Sequence, residues 1–175
     1  NNLYVRLTFK APAGGADHSD KDNEVKATMM FPNDKVPLAD QAGCWSACHE
    51  DSKGMPKGKD KTKYATPGSM DLMQWKTGGG GKAMDGIVTD KRNMEGGKAG
   101  VTAEGAKAGD TYTVTFTRKL AGNPASGDVT LAPGKQYNIG FAVHDDYAFG
   151  RFHHVSFGYT IGLDDAKANI NAVKQ

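Results

Sequence analysis

The chain has almost no cysteine: two residues in 175, at positions 44 and 48. A disulfide framework needs thiols spread along the sequence, so this pair serves a local purpose and does not staple distant segments together. No apolar run approaches the roughly 20 residues that cross a bilayer as a helix. Net charge is close to absent, +2 from 22 basic and 20 acidic side chains. That removes the field that nucleic acid demands, and the lysine-rich stretch from Lys53 to Lys63 reads as a solvated loop. There is no Gly-x-Ser-x-Gly elbow and no acid/base carboxylate pair. Asp145-Asp146 and Asp164-Asp165 read as turn or cap residues, so a hydrolytic enzyme finds no support.

What is present suits a β-rich domain. Hydrophobic residues make up 38% and glycines number 23, a composition that favours many turns and long loops over a helical bundle. The length fits a single domain, residues 1–175, large enough to bury a core or to enclose one flat cofactor. Asn1-Asn2-Leu3-Tyr4-Val5 opens directly into strand-like alternation without signal-peptide features. A mature form or an excised piece of a longer protein is expected, with any membrane tether supplied by a segment outside this chain.

Leu3, Val5, Leu7 and Phe9 alternate with polar neighbours, the period of a strand with one buried face. Val25 to Phe31 predicts a second strand, stopped by Pro32, and Asp34 to Ala42 leads into the cysteines. Ser69 and Asp71 predict a short helix over 70–76, ended by the tetraglycine at 78–81. From Gly86 to Gly109 the pattern predicts loop, with one short strand around Ile87 and Val88. Tyr112, Val114 and Phe116 alternate with threonines as a strand, and 136–143 and 152–161 predict two more. Gly122-Asn123-Pro124, Pro133-Gly134 and Asp145-Asp146 mark turns, and Leu163, Ile170 and Val173 suggest a terminal helix. Together these predict an all-β antiparallel sandwich or barrel, with long loops and short helices carrying the cysteine motif.

That motif is Cys44-Trp45-Ser46-Ala47-Cys48-His49. In C-x-x-C-H, two thiols add to the vinyl groups of a porphyrin and the adjacent histidine ligates its iron. Here one extra residue separates the cysteines. On a helix, spacings of three and four turn the side chain by about 300° and about 400°, so both put the thiols on one face. The competing readings are a Cys44–Cys48 disulfide, a redox dithiol and a zinc site. The dithiol lacks the C-x-x-C spacing beside a βαβ unit, and zinc lacks a second cysteine pair. One covalently bound haem c is the expectation, with His49 as the proximal iron ligand.

A second axial ligand must come from His18, His144, His153, His154 or a methionine. His153 shares parity with Val155, Phe157, Tyr159 and Ile161, whereas His154 shares it with Ser156, Gly158 and Thr160, so His153 is favoured for a buried porphyrin. His154 and Met55 are the alternatives. His144 reads as a strand-end or turn residue, and a hydrogen-bonded core histidine is the plain account of His153. Arg151 suits a haem propionate, since guanidinium forks match carboxylates. Trp45 and Trp75 are candidates to pack on the macrocycle, or plain core.

Met30-Phe31-Pro32, the cysteine motif, Asp71 to Lys76, Phe141 to Asp145 and Arg151 to Ser156 occur in an order that resembles a known family. It is the haem-binding domain of the cytochrome c-552/ethylbenzene dehydrogenase γ-subunit (DMSO-reductase-like) family, also found in c-type cytochromes with a NapC/NirT-type membrane segment. The resemblance runs from about Phe31 to Leu163. In the γ subunits it implies a b-type haem held in a β-sandwich by a Met and a Lys, the Lys in a late Lys-x-Val-Ser segment that matches His153 here. The cysteine motif is a departure, because it brings its own proximal ligand. The resemblance thus implies one haem c between His49 and His153.

Two strong axial ligands close the iron, which suits electron transfer and not substrate chemistry. The expectation is a periplasmic electron-transfer domain and not an enzyme, since covalent haem attachment in bacteria occurs outside the cytoplasmic membrane. Its redox partners would be a membrane-anchored, quinol-oxidising multihaem cytochrome and a soluble periplasmic reductase or carrier. The alternative is a ligand-binding or sensor haem domain with a labile distal site.

Overall fold

The computed structural model describes residues 1–10, 24–43, 68–147 and 150–174, with the backbone alone at 42, 145–147 and 150–153. Strand β1 (Asn2–Lys10) alternates as expected and pairs antiparallel with β7 (Thr111–Lys119), whose other edge takes β6 (Thr102–Ala108). This three-stranded sheet faces a larger one. Its central run is β8 (Gln136–Tyr147), β2 (Val25–Pro32), β3 (Met70–Lys76) and β4 (Lys82–Val88), all antiparallel. Short β5 (Arg92–Asn93) closes one edge. At the other edge β8 pairs with β9 (Gly150–Val155) and β10 (Tyr159–Leu163), and β11 (Ile170–Ala172) joins β10 in parallel. The all-β, sandwich-like architecture expected from composition is the one observed.

The core between the sheets is built from strict alternation. Tyr112, Val114 and Phe116 of β7 and Leu3 of β1 meet Val25, Ala27, Met29, Phe31, Met73 and Trp75 of the larger sheet. The alternation continues to Arg118, the last inward position of β7, which is 1% exposed. Its Nη1 donates to Asp71 Oδ2 of β3 at 2.6 Å and its Nη2 to the Val129 carbonyl at 2.6 Å, with the guanidinium 5.4 Å from the Phe31 ring. A buried ion pair thus replaces an apolar contact where one end of the sandwich closes.

Five elements differ from expectation. Met70–Lys76 is a central strand and not a helix, because it is buried on both faces between β2 and β4 and therefore shows no alternation to read. The stretch 86–109 contains the end of β4 and all of β5 and β6. Asp145 and Asp146 lie within β8, which runs on to Tyr147. The terminal helix is absent: Asp164 has φ 51°, and Asp165 accepts from Lys167 N at 2.9 Å in a side-chain turn that breaks helical progress before β11.

The expected strand 152–161 is two strands separated by a bulge. From Ala142 to Ile139 β8 advances three residues, while its partner advances four, from Val155 to Tyr159. The extra residue reverses the faces. His153 and Val155 therefore lie on the opposite face from Tyr159 and Ile161, although all four share sequence parity. Phe157, within the bulge, is 78% exposed.

Candidate functional site

The face of the larger sheet that turns away from β1, β6 and β7 carries a second apolar bed. Met30, Met70, Leu72, Val88 and Ala142 are buried there, with Val36 and Ala39 from the turn and helix α1 (Ala39–Ala42) and with Val155 packed alongside. Register orders this face in rows. Met30 lies opposite Leu72 and Gly140, Thr28 opposite Gln74 and Ala142, and Lys26 opposite Lys76 and His144. Within the middle row the Gln74 amide donates to the Thr28 hydroxyl at 3.0 Å. The last row is polar: Lys26 and Lys76 pair with the buried Glu24 at 3.3 and 3.5 Å.

Strand β9 extends the rows. Val155 pairs with Ala142, His153 with His144 and Arg151 with Asp146, so His153 and Arg151 occupy alternate positions of the bed-bearing face, directly beyond Val155. His154 pairs with Val143 on the other face and is exposed. His144, expected at a strand end or turn, sits inside β8 and faces His153 in register. The two imidazole-bearing residues are cross-strand neighbours. That pairing was hidden in the sequence, because it depends on where β9 folds back.

Helix α1 delivers the chain to this face. Gly43 follows it with φ 51° and ψ −128°, a backbone conformation that only glycine adopts without strain. It lies directly on the bulge, where a Cβ would fall 2.5 Å from the Phe157 carbonyl oxygen. Gly158 N donates to the Gln41 carbonyl at 3.0 Å, and a Cβ at Gly158 would overlap the carbonyl oxygen of Asp40. Two glycines therefore let α1 and the bulge meet backbone to backbone. The residue after Gly43 in sequence is Cys44, the first of the cysteine motif.

Cys44, Trp45, Cys48, His49 and Met55, together with His18, lie outside the described residues. Trp75 does not belong to the bed. It is buried between the sheets, 6.0 Å from the Tyr112 ring centroid and against Gly105, where any Cβ would overlap its indole. It is core.

A second polar group went unnoticed in the sequence because its members come from three separate segments. Asp71, Asp85 and Asp128 converge at the closed end of the sandwich beside Arg118. Burial pushes the Asp71 carboxyl up from 3.8 to about 6, against the pull of the Arg118 charge and of a hydrogen bond from Val129 N. The one cue in the sequence was a charge at Arg118 on the buried parity of β7.

The fold and this face define a β-sandwich whose larger sheet carries an apolar layer on its outer side, and the chain is similar along its length to cytochromes of the c type. No family model matches it. It is 54% identical to cytochrome c-552 of Stutzerimonas stutzeri over 183 aligned positions, covering 99% of this chain and 62% of that protein. It is 42% identical to cytochrome c-551 of Rhodocyclus tenuis over 174 positions, covering 99% of this chain and 64% of that protein. The chain thus spans a little under two thirds of the length of these curated relatives.

Proposed function

We propose that this chain is a monohaem c-type cytochrome domain that carries single electrons in the periplasm. Its partners would be a membrane-anchored, quinol-oxidising multihaem cytochrome and a soluble reductase or carrier. The observation that carries the proposal is that His153 and Arg151 take alternate positions of the bed-bearing face, while Gly43, the residue before Cys44 in sequence, rests on the bulge that follows β9. The likeness to two cytochromes over 99% of the chain supports it.

The residues present fit such a group. A porphyrin has an apolar body and an acidic edge. Met30, Met70, Leu72 and Val88 form the buried apolar layer that would back the one, and the rim offers the cationic positions Lys26, Lys76 and Arg151 to the other. Cys44 and Cys48 would hold the haem through thioethers, His49 would ligate the iron from the motif, and His153 from β9. Trp45 would pack on its edge and Arg151 would meet a propionate. When bound, the haem supplies a one-electron redox centre whose potential follows its axial ligands and burial. The same proposal extends to kinship with the haem-binding domain of ethylbenzene dehydrogenase γ subunits, with His153 at the lysine position. Residues 1–175 would form its one haem-binding unit, and covalent attachment places maturation outside the cytoplasmic membrane.

Replacing His153 with Ala is expected to leave the haem attached and to convert a low-spin absorption spectrum to a high-spin one, while His154→Ala leaves the spectrum unchanged. The reverse pair of results contradicts the ligand assignment. Carbon monoxide on the reduced protein should bind slowly or not at all at neutral pH. A rapid spectral change would instead favour a ligand-binding domain.

A further inference from the structure

We propose that Asp71, Asp85 and Asp128 form a binding site for one calcium ion, where the two sheets and the β7–β8 connection meet. Asp71 is on β3 and Asp85 on β4, both on the face toward the smaller sheet, and Asp128 follows the short 3-10 turn Pro124–Ser126. One carboxylate oxygen from each lies within 4.8 Å of the others. Asp71 is fully buried and Asp128 is 4% exposed, so this is no solvated acidic surface.

The hydrogen bonds among the described residues leave one oxygen of Asp71 and one of Asp85 unpaired. Asp71 Oδ2 accepts from Arg118 Nη1 at 2.6 Å and Val129 N at 2.8 Å. Asp85 Oδ2 accepts from Gly100 N at 2.9 Å and Val101 N at 3.2 Å. Both Asp128 oxygens accept from Lys98 N, at 3.1 and 3.0 Å, and its Oδ2 also from Asn123 N at 2.8 Å. Asp71 Oδ1 and Asp85 Oδ1 are buried and have no hydrogen-bond partner among the described residues. Unpaired buried carboxylate oxygens are costly unless something positive meets them.

Charge and space agree with that. Three ionised carboxylates against the single guanidinium of Arg118 leave a net −2, the charge that a divalent cation cancels. Gly97 lies directly against Asp85, where a Cβ would overlap Asp85 Oδ1. The donors are all hard oxygens, without thiol or imidazole, which selects calcium or magnesium over zinc and copper. Oxygens drawn from two strands and a loop do not present a regular octahedron, and calcium tolerates such irregularity with water completing its shell, whereas magnesium does not. A bound ion would tie the β7–β8 connection to β3 and β4, next to the Arg118 contact that already joins the sheets.

The test uses the purified, pigmented protein stripped with EDTA and dialysed into metal-free buffer near pH 7.5. Calorimetric titration with CaCl2 is expected to show one ion per chain. At a free concentration 100 times the dissociation constant, the folding equilibrium constant should rise about 100-fold, read as a higher unfolding midpoint. Asp85→Asn should lower calcium affinity at least tenfold without altering the visible spectrum, which separates this site from the proposed haem. If that variant does not fold, equilibrium dialysis of the unaltered protein against CaCl2 gives the stoichiometry directly. No saturable binding, or a midpoint that CaCl2 raises equally in wild type and Asp85→Asn, overturns the site. So does an Asp85→Asn protein more stable than wild type in CaCl2, which would mean that Asp71 and Asp85 simply share a proton.

Discussion

Arg118 shows how much a single inward charge organises. At the end of a strand whose other inward residues are Tyr112, Val114 and Phe116, it lies over Phe31 and spends its donors on Asp71 and two backbone carbonyls. Its partner Asp71 faces Arg118 from β7, Asp85 from β4 and Asp128 from the β7–β8 connection, and burial outweighs the attraction of the arginine. The carboxyl holds its proton in the folded chain to a higher pH than in the unfolded one. Stability from this group is therefore complete below pH 3.8 and lost as pH rises through about 6. In the presence of a chelator, urea unfolding should show wild type losing on the order of 2 kcal/mol relative to Asp71→Asn between pH 4 and 7. A difference that stays flat or grows in favour of wild type contradicts the assignment.

At the scale of elements, the bulge at Ser156–Gly158 decides what the site can be. Without its extra residue, position 153 would fall on the inter-sheet face with Ile161; with it, His153 falls on the outer face, in the row of His144, Lys26 and Lys76. The same bulge receives α1, through Gly43 and Gly158. Gly158→Ala pushes a methyl into the Asp40 carbonyl, and backbone cannot yield as a side chain does, so a loss of about 1–3 kcal/mol is expected from the urea midpoint. A variant within about 0.5 kcal/mol of wild type would show that α1 is not held there.

These elements also mark what could be read beforehand. Strands β1, β2 and β7 were legible because each has one buried face or a run of β-favouring residues ended by proline. Central β3 was not, since Met, Leu, Gln and Lys carry helix preference and burial on both faces erases the period. The parity that selected His153 over His154 led to the bed-bearing face through an incomplete premise: Val155 shares that face, while Ile161 does not. A bulge is one residue in the pairing count, and nothing within 152–161 announces it until β8 is laid alongside.

For the whole molecule, the two sheets divide the work. The space between them holds the larger core and the Arg118–Asp71 pair, and the outer face of the larger sheet carries the apolar bed and the paired positions of His144 and His153. A cofactor bound on that face would lean on a sheet already fixed by its other side. The three buried aspartates went unread because Asp71 resembled a helix-start residue and the other two gain meaning only when β4 and the β7–β8 connection are folded onto it. The cysteine motif, by contrast, was readable at once, being contiguous in sequence and chemical in kind.

The most direct measurement is a pyridine haemochrome spectrum of the protein, matured in a host able to make c-type cytochromes, together with its intact mass before and after acid-acetone extraction. The account predicts a haem c spectrum and a mass raised by one haem that extraction does not remove, both abolished by Cys44→Ala with Cys48→Ala. A colourless protein with the mass of the polypeptide alone would contradict it.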